Sequence, residues 1–318
     1  MTPRESIDFS AIRVLDGGLA TELEQRGCDI SGPLWSAHVL DRSPAALTAV
    51  HLDYLRAGAD CIATASYQIS SLGYRDLGMN SHEAATAAGQ ALVQSVQIAE
   101  AARAQYARES SRRIWIAASL GPYGAALHNG AEYHGRYEID EDALVAFHAE
   151  RLEVIAKTSA DFIAFETTPS LSEARAILRA LAHCPDLSAW ISFTCRDAEH
   201  IAHGEPLPAC AEVLSDSDQI LAIGINCVPP QLILPLMNGA RRGARGRKPI
   251  LVYPNSGEVW DAATRTWHGE DNTERFGSLA QSWFTAGAQA VGGCCRTRPA
   301  HIAAVARAAR SAAPAVVS

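Results

Sequence analysis

Three cysteines in the second half of the chain have the residue type and the setting of a metal centre. Cys227 follows the apolar run 220–226, and the adjacent Cys294 and Cys295 follow two glycines. Three thiolates around one ion would leave its fourth position open, which is the arrangement of a catalytic zinc site. The spacing is neither a CxxC pair nor a zinc finger, so buried cysteines without a metal are an alternative explanation.

Zinc held by three thiolates would favour reactions at sulfur over the activation of water. A free thiol has a pKa of about 8.5 and is mostly protonated at neutral pH, whereas a metal-bound thiol is deprotonated. Three cysteinate ligands give the metal unit a net charge of about −1, which leaves electron density on a substrate sulfur in the fourth position. We therefore predict a Zn²⁺ cofactor, with the methyl group of a sulfonium donor attacked in line by the substrate sulfur.

Carboxylates and hydroxyls at other predicted strand ends have the chemistry to bind an amino acid. Asp16 and Glu166 could pair with its α-ammonium group, and Thr64 and Ser66 could donate hydrogen bonds to its carboxylate. Asp16 and Glu166 could instead cap helices, since carboxylates accept hydrogen bonds from the first amides of a helix. We predict that all four side chains contact the substrate.

Backbone amides and one amide side chain complete this predicted substrate site. Gly17 and Gly18 would expose N–H groups to the substrate carboxylate, although two glycines are also typical of a tight turn. Asn226 precedes Cys227 and is predicted to orient it or to tie down its loop. We include these three residues in the predicted substrate site.

An aromatic turn has the chemistry to bind the methyl donor. Tyr253 begins the segment 253–258, which combines a rigid Pro-Asn turn with a carboxylate, and Trp260 and Trp267 follow. Aromatic faces and a carboxylate would attract a cationic donor by cation–π and charge interactions. Ordinary packing is the alternative role of such an aromatic cluster.

Eight short apolar runs alternate with helical segments along the chain. They lie near residues 12–16, 60–65, 114–119, 161–166, 189–194, 220–226, 249–253 and 289–293. Alternating strands and helices predict a parallel sheet, and eight repeats without a linker predict a single (β/α)8 TIM barrel over residues 1–318. A doubly wound open sheet is the alternative. In a barrel the predicted site residues converge on one mouth, because the carboxyl ends of all strands meet there.

Helix boundaries have their own signals. Ser43 is a predicted cap before Pro44, and Gly58 ends that helix. Ser170 and Glu173 are spaced as a capping box for another helix. Further helices are predicted over Asp140–Lys157, Phe276–Ala286 and Pro299–Arg310.

Charge and hydropathy exclude several classes of protein. The chain has 27 Lys and Arg against 35 Asp and Glu, and its net charge of −8 argues against a nucleic-acid partner and favours a cationic small molecule. Its apolar stretches fall short of the roughly 18 residues that a membrane span requires. The first ten residues lack the apolar core of a signal sequence, so we predict a cytoplasmic protein whose eight cysteines stay reduced.

Seven ordered motifs resemble those of the homocysteine S-methyltransferases. They are DGGLATEL at 16–23, TASYQ at 64–68, GPYG at 121–124, ETTPS at 166–170, GINC at 224–227, YPNSGE at 253–258 and GGCCRT at 292–297. The likeness is greatest to bacterial and plant enzymes that use S-methylmethionine. It implies a zinc-bearing (β/α)8 barrel that transfers a methyl group to L-homocysteine and forms methionine.

The resemblance also implies roles for individual residues. Cys227, Cys294 and Cys295 match the zinc ligands of the family. Asp16 and Glu166 match positions that hold the ammonium group of homocysteine.

One residue narrows the choice of methyl donor. Gln68 stands where the similar betaine-using enzymes carry a tyrosine, which counts against betaine. S-methylmethionine and S-adenosylmethionine are both sulfoniums, and the chain has no GxGxxG motif of a separate cofactor fold for the latter. The expected donor is S-methylmethionine, with S-adenosylmethionine as the alternative.

Two other functions are compatible with the same residues. One is a barrel hydrolase or lyase with a metal ion or a cysteine nucleophile at the mouth. The other is a non-catalytic zinc reservoir or redox switch at Cys294 and Cys295. Methyl transfer to homocysteine would distinguish the predicted enzyme from both.

Overall fold

The computed structural model of the chain describes residues 9–30, 34–261, 266–268 and 272–312, without the side chains of residues 35–37, 259–261 and 266–268. The strands in these ranges are β1 Cys61–Ala63, β2 Trp115–Leu120, β3 Phe162–Thr168, β4 Ala189–Phe193, β5 Ile220–Asn226, β6 Ile250–Tyr253, β7 Val259–Asp261, β8 Thr266–His268 and β9 Ala290–Val291. The helices are α1 Leu19–Gln25, α2 Trp35–Arg42, α3 Pro44–Ala57, α4 Ser71–Asp76, α5 Ser81–Tyr106, α6 Tyr123–Ala126, α7 Glu141–Ile155, α8 Leu171–Ala182, α9 Leu207–Ser215, α10 Ile233–Ala244, α11 Thr273–Thr285 and α12 Pro299–Ser311. Among these described helices, none has both the length and the apolar character needed to cross a membrane.

The ring of strands closes through two residues of the predicted first strand. Val14 forms a parallel bridge to Val291 of β9, and Leu15 forms one to Cys61 of β1. Seven parallel strands in the order β1-β2-β3-β4-β5-β6-β9 complete the ring. The predicted (β/α)8 barrel is confirmed, and the open-sheet alternative is wrong because the two edges of the sheet meet at residues 14 and 15.

The alternation of strand residues separates the barrel interior from the layer beneath the helices. Phe162 and Trp190 point into the barrel, whereas Ile163 packs against the helices. Phe9 closes the amino-terminal end, with its ring centroid 6.1 Å from the rings of both Phe162 and Trp190. Because inward positions recur every second residue, Phe162 at the start of β3 shares its face with Glu166 at the mouth.

The helix predicted after Ser43 is present as α3, and its inward residues are buried. Gly58 follows it in the left-handed conformation, with a φ of +114°, which favours glycine. Ser43 occupies the N-cap position, but within the described structure its side chain accepts no capping hydrogen bond. That detail of the prediction is wrong, and Pro44 alone marks the helix start.

Half of the predicted capping box forms at α8. The Ser170 hydroxyl accepts a hydrogen bond from the Glu173 N–H at 3.2 Å. The Glu173 carboxylate is fully buried and serves other partners, accepting from the Tyr123 N–H at 2.6 Å and contacting His148 Nε2 at 3.0 Å. Glu173 therefore joins two helices to the loop that follows β2.

An antiparallel hairpin of β7 and β8 lies outside the barrel sheet. Sequence analysis predicted a donor-binding surface in this region and no strands. The hairpin pairs residues 260 and 267 in its backbone. The side chains of Trp260 and Trp267 lie outside the described residues, so their predicted role stays a prediction.

Candidate active site

A cavity of about 290 Å³ opens at the carboxyl ends of the strands. Ten of the predicted site residues line it: Asp16, Gly17, Gly18, Thr64, Glu166, Asn226, Cys227, Tyr253, Cys294 and Cys295. They come from the ends of five strands and from the bridged segment at residues 14 and 15. Convergence at one mouth follows from the parallel arrangement, because every strand ends on the same side of the barrel.

The three cysteines form a cluster whose geometry fits a metal ion. The Cys227 and Cys295 Sγ atoms lie 3.6 Å apart, and the three Sγ atoms of the cluster lie within 4.8 Å of one another. Tetrahedral zinc with Zn–S bonds of about 2.3 Å places its sulfurs about 3.8 Å apart. The cluster therefore has the ligand type and the spacing of a three-thiolate zinc site.

The thiols influence one another's protonation. Hydrogen bonds from the Cys227 and Cys294 thiols lower the pKa of Cys295 well below its ordinary value. The same hydrogen bonds raise the pKa of Cys294, because its proton is shared with neighbouring sulfurs. One sulfur of the cluster is thus stabilised as a thiolate by the other two.

Backbone hydrogen bonds from the end of β6 hold the two cysteine loops in place. The Cys227 N–H donates to the Tyr253 carbonyl at 3.3 Å, and the Cys294 N–H donates to the Pro254 carbonyl at 2.8 Å. Cys227 itself adopts a left-handed conformation with a φ of +54°. The segment 253–258, which was predicted to bind the donor, ties the cysteine loops together through its backbone.

The glycines before the adjacent cysteines permit a close approach of two loops. β9 ends at Val291 and the cysteines lie on a turn beyond it, so the two glycines do not kink a regular strand. A Cβ atom at Gly293 would lie 2.3 Å from the Thr297 hydroxyl, and one at Gly292 would lie 2.6 Å from the Leu15 side chain. Steric contact, and not a strand kink, therefore requires glycine at both positions.

The Gly18 amide, which was predicted to bind the substrate carboxylate, has hydrogen-bond partners within the protein. Its N–H donates to the Thr297 hydroxyl at 3.0 Å and to the Thr297 carbonyl at 3.2 Å. A Cβ atom at Gly18 would lie 2.7 Å from the Cys294 carbonyl, and one at Gly17 would lie 2.8 Å from the Tyr54 ring. Both glycines pack the first loop closely against its neighbours, and the Gly18 amide already has partners.

Two carboxylates extend into the cavity from the strand ends. Asp16 accepts a hydrogen bond from the Ala63 N–H at 2.8 Å, and Glu166 accepts one from the Ser119 hydroxyl at 2.8 Å. Burial raises the pKa of Asp16 well above its usual range, and the nearby Glu166 charge raises it further. Burial raises the pKa of Glu166 to about 7. The described cavity lining contains no Lys, Arg or His, so neither acid has a cationic partner there.

The two hydroxyls predicted to contact the substrate form hydrogen bonds within the protein. Thr64 Oγ1 accepts from the Ser119 N–H at 3.0 Å and contacts Ser66 Oγ at 2.6 Å. Ser66 donates to the Ser119 carbonyl at 2.7 Å and is fully buried outside the cavity lining. Both hydroxyls position Ser119, which in turn holds Glu166.

Asn226 and Tyr253 connect neighbouring strand ends. Asn226 exchanges two hydrogen bonds of 2.9 Å with Thr167, one to its N–H and one to its hydroxyl. Thr167 is left-handed, with a φ of +61°, and directly follows Glu166. The Tyr253 hydroxyl donates to Ser192 Oγ at 2.5 Å. These contacts hold the strand ends on which the carboxylates and cysteines lie.

Sequence analysis missed residues of a loop that also lines the cavity. Glu132 and Tyr133 lie after β2, and the Tyr133 hydroxyl is 3.5 Å from Cys227 Sγ. Neither residue follows a strand directly, so the strand-end criterion did not select them. An acid next to an aromatic residue, two positions after Gly130 in a long loop, was the available signal.

The fold and the site together define a (β/α)8-barrel enzyme whose mouth combines a three-thiol cluster with buried carboxylates. Residues 13–309 match the family model described as homocysteine S-methyltransferase. The chain belongs to this family, as its seven motifs indicated. Methyl transfer is the chemistry of this family, which argues against the hydrolase, lyase and non-catalytic alternatives.

Individual relatives support the same assignment. The chain is 44% identical over 318 residues to the homocysteine S-methyltransferase YbgG of Bacillus subtilis (strain 168), covering 98% of this chain and 99% of that protein. It is 42% identical over 308 residues to the homocysteine S-methyltransferase of Escherichia coli (strain K12), covering 95% and 96%. The crystal structure of the homocysteine methyltransferase MmuM from Escherichia coli in its metallated form has a TM-score of 0.81 and 38% identity to this chain, covering 93% and 96%.

Proposed function

We propose that the enzyme binds one Zn²⁺ through Cys227, Cys294 and Cys295 and transfers a methyl group from a sulfonium to the thiol of L-homocysteine, forming methionine. The observation that carries this proposal is the position of the thiol cluster beside two partly buried carboxylates that have no cationic partner in the described lining of the same cavity. A metal ion held by the thiol cluster would bind the substrate sulfur, and the two carboxylates would bind the ammonium group of the same substrate.

The donor set supports zinc in particular. Three soft thiolates favour zinc over magnesium or calcium, which prefer oxygen ligands. A relative with 38% identity has been crystallised in a form described as metallated. A zinc ion held by these cysteines would keep the homocysteine sulfur deprotonated at neutral pH.

Asp16 and Glu166 bind the homocysteine ammonium in this proposal. Their pKa values are raised because both groups are buried without a cation. An ammonium group between them would favour the ionised carboxylates and form charge-assisted hydrogen bonds. The amino acid would then be held at one end, which directs its thiol toward the cysteines.

The transfer itself is a displacement at carbon. A lone pair of the homocysteine sulfur attacks the methyl carbon, and the carbon–sulfonium bond breaks as its electron pair moves to the donor sulfur. The donor leaves as a neutral thioether, and the thiol proton has already passed to solvent. The protein holds the two sulfurs in line, which removes most of the entropic cost of bringing them together.

The size of the cavity favours S-methylmethionine as the donor. A volume of about 290 Å³ lies at the lower end of the range for small-molecule pockets, which is roughly 300–1,000 Å³. It suits homocysteine with a second amino acid better than homocysteine with a nucleoside-bearing donor. We therefore rank S-methylmethionine above S-adenosylmethionine.

We also propose that residues 1–318 form one homocysteine-binding domain and that the enzyme works in the cytoplasm. All eight cysteines are free in the structure, and a reducing compartment would keep the three zinc ligands as thiolates.

The proposal is tested by metal content and methyl transfer in Cys227→Ala, with Cys184→Ala as the matched control. Cys184 lies outside the cluster, on the turn after α8. We expect about one zinc per chain and methionine formation from homocysteine in the wild type and the control. Cys227→Ala should lose most of its zinc and at least about 1,000-fold in kcat/KM, because the metal-bound thiolate is lost. Full zinc content together with normal turnover in Cys227→Ala would contradict the proposal.

A further inference from the structure

Two buried oxygen atoms in the cavity have no hydrogen-bond partner. They are Oε2 of Glu132 and Oε1 of Gln68. Both residues line the same cavity as the cysteines. Buried polar atoms in folded proteins nearly always have partners, so two unpaired oxygens in residues that line one cavity indicate a ligand.

These oxygens come from other segments of the chain than the predicted ammonium site. Asp16 and Glu166 extend from strand ends, whereas Gln68 and Glu132 lie in loops that follow β1 and β2. Burial raises the pKa of Glu132, and the charge of Cys295 raises it further, so its carboxylate lies within electrostatic reach of the thiol cluster.

The charge of the cavity favours a second cation. Asp16, Glu132 and Glu166 line it together with the three cysteines, and its described lining includes no basic residue. A bound Zn²⁺ would reduce the charge of the three thiolates to about −1, and the homocysteine ammonium would neutralise a further part. A sulfonium donor would bring another positive charge next to the cysteines, where the methyl group has to be transferred.

The chemistry of the two oxygens and of two nearby rings suits a sulfonium. A trialkyl sulfonium has no N–H or O–H to donate, so it is recognised by negative oxygens and aromatic faces. Tyr67 lines the cavity, and the Tyr133 hydroxyl lies 3.5 Å from Cys227 Sγ. Oxygen acceptors and aromatic rings therefore occur together beside the thiols.

We propose that Glu132 and Gln68 form the subsite that binds the sulfonium group of the methyl donor. This inference rests on the proposed function, and it names the residues that select a cationic donor. The Glu132 carboxylate attracts the positive sulfur, while the Gln68 carbonyl oxygen contacts the polarised carbons attached to it. Neither residue takes part in bond making.

The barrel holds this subsite rigidly through the loop 121–140. Glu173 of α8 accepts from the Tyr123 N–H at 2.6 Å, and Arg151 of α7 donates to the Gly121 carbonyl at 2.9 Å. A Cβ atom at Gly124 would lie 2.5 Å from the Glu132 backbone N, which shows how tightly the loop folds on itself. The loop that carries Glu132 is therefore fixed by contacts within the protein before the donor arrives.

The proposal predicts a specific kinetic change. The donor sulfur loses its positive charge as the methyl group departs, so the Glu132 carboxylate stabilises the bound donor more than the transition state. In Glu132→Gln we expect the donor KM to rise about 10-fold, with kcat equal to or above that of the wild type. The homocysteine KM and the zinc content should not change. Glu132→Asp, which keeps the charge, should recover part of the donor affinity.

Glu138→Gln is the matched control, since Glu138 is an exposed acid on the same loop. It should keep the wild-type donor KM. Zinc content also reports folding, and if Glu132→Gln fails to retain zinc, Gln68→Leu tests the same subsite with an expected donor KM increase of about 3-fold or more.

The outcomes separate this inference from the function on which it rests. A wild-type enzyme that forms methionine from homocysteine and S-methylmethionine, with an unchanged donor KM in Glu132→Gln and Gln68→Leu, overturns the subsite alone. A fall in kcat at unchanged donor KM also overturns it. A wild-type, zinc-loaded enzyme that forms no methionine from either sulfonium overturns the proposed function and the subsite together.

Discussion

Polar side chains at the amino-terminal end of the barrel have several partners within the protein, whereas the carboxylates at the mouth have no cationic partner. At the amino-terminal end, Asp60 Oδ2 accepts from the N–H groups of Arg13 at 3.0 Å and Val14 at 2.9 Å. Gln289 Nε2 donates to the carbonyls of Ser10 at 2.9 Å and Ile12 at 3.1 Å. Both residues lie in a helix-to-strand loop, Asp60 directly before β1 and Gln289 directly before β9.

The mouth shows the opposite pattern. Asp16 and Glu166 are buried without a cation, and a Glu132 oxygen has no hydrogen-bond partner. Thr167 and Cys227 hold left-handed conformations that cost of order 1 kcal/mol or more each in residues other than glycine.

The difference between the two ends divides stability from function. Side chains that complete backbone hydrogen bonds at the amino-terminal end stabilise the barrel. Unpaired charges and left-handed backbone at the mouth reduce stability and are retained where ligands supply the missing partners. Substitutions at the two ends should therefore have separable effects, which three experiments can test.

The largest effect should be on stability, in Asp60→Ala. Loss of two charge-assisted hydrogen bonds to backbone amides should lower the free energy of unfolding by about 2 to 3 kcal/mol. The kcat/KM of the folded enzyme should not change, because Asp60 lies at the other end of the barrel. Denaturant unfolding and steady-state kinetics measure both quantities.

Asp216→Ala is the matched control for that experiment. Asp216 forms an exposed ion pair with Arg247, and pairs of this kind contribute little to stability. A large loss of kcat/KM in Asp60→Ala at unchanged stability would contradict the view that the amino-terminal end serves stability and the mouth serves function.

The next effect should appear in Glu166→Gln, at the mouth. Removing one partner of the ammonium should lower kcat/KM for homocysteine about 10-fold or more. Stability at pH 8 should equal or exceed that of the wild type, since a buried carboxylate without a cation is removed. Glu153→Gln, on the exposed side of α7, is the control. Unchanged homocysteine kinetics would mean that the ammonium binds elsewhere.

The smallest effect should be a pH dependence of homocysteine binding. Glu166 has a pKa of about 7 in the free enzyme, and an ammonium ligand lowers it. Homocysteine affinity should therefore be full above pH 7 and fall as the pH drops below 7, by at most about 10-fold per pH unit. The dependence should be flatter in Glu166→Gln, as measured by homocysteine KM between pH 6 and 8. Parallel profiles in the two proteins would assign the titration to another group.

Local patterns predicted the elements well but missed some of their boundaries. Seven of the eight predicted strands appear as strands, whereas residues 12–16 contribute only a bridge at Val14 and Leu15. The Val14 N–H donates to the side chain of Asp60, which is distant in sequence, and so it is not available for a hydrogen bond to a neighbouring strand. The long helix α5 was not predicted, although Asn80 and Glu83 form a capping box at its start.

The sequence alone determined the chemistry that is available to this protein. Residue types follow directly from the chain, so three thiols and two carboxylates at strand ends were enough to predict a site for a sulfur-containing amino acid. The order of strands and helices could also be predicted from the sequence, because hydrophobic periodicity is a local property.

Only the tertiary structure decided which groups face the ligand and which serve the protein. The Gly18 amide is bonded to Thr297, and the Ser66 hydroxyl to the Ser119 carbonyl. Conversely, Glu132 enters the cavity from a loop that no strand-end pattern selects. Hydrogen-bond partners far apart in sequence meet only when the loops pack, and this packing determines whether a polar group remains available to a substrate.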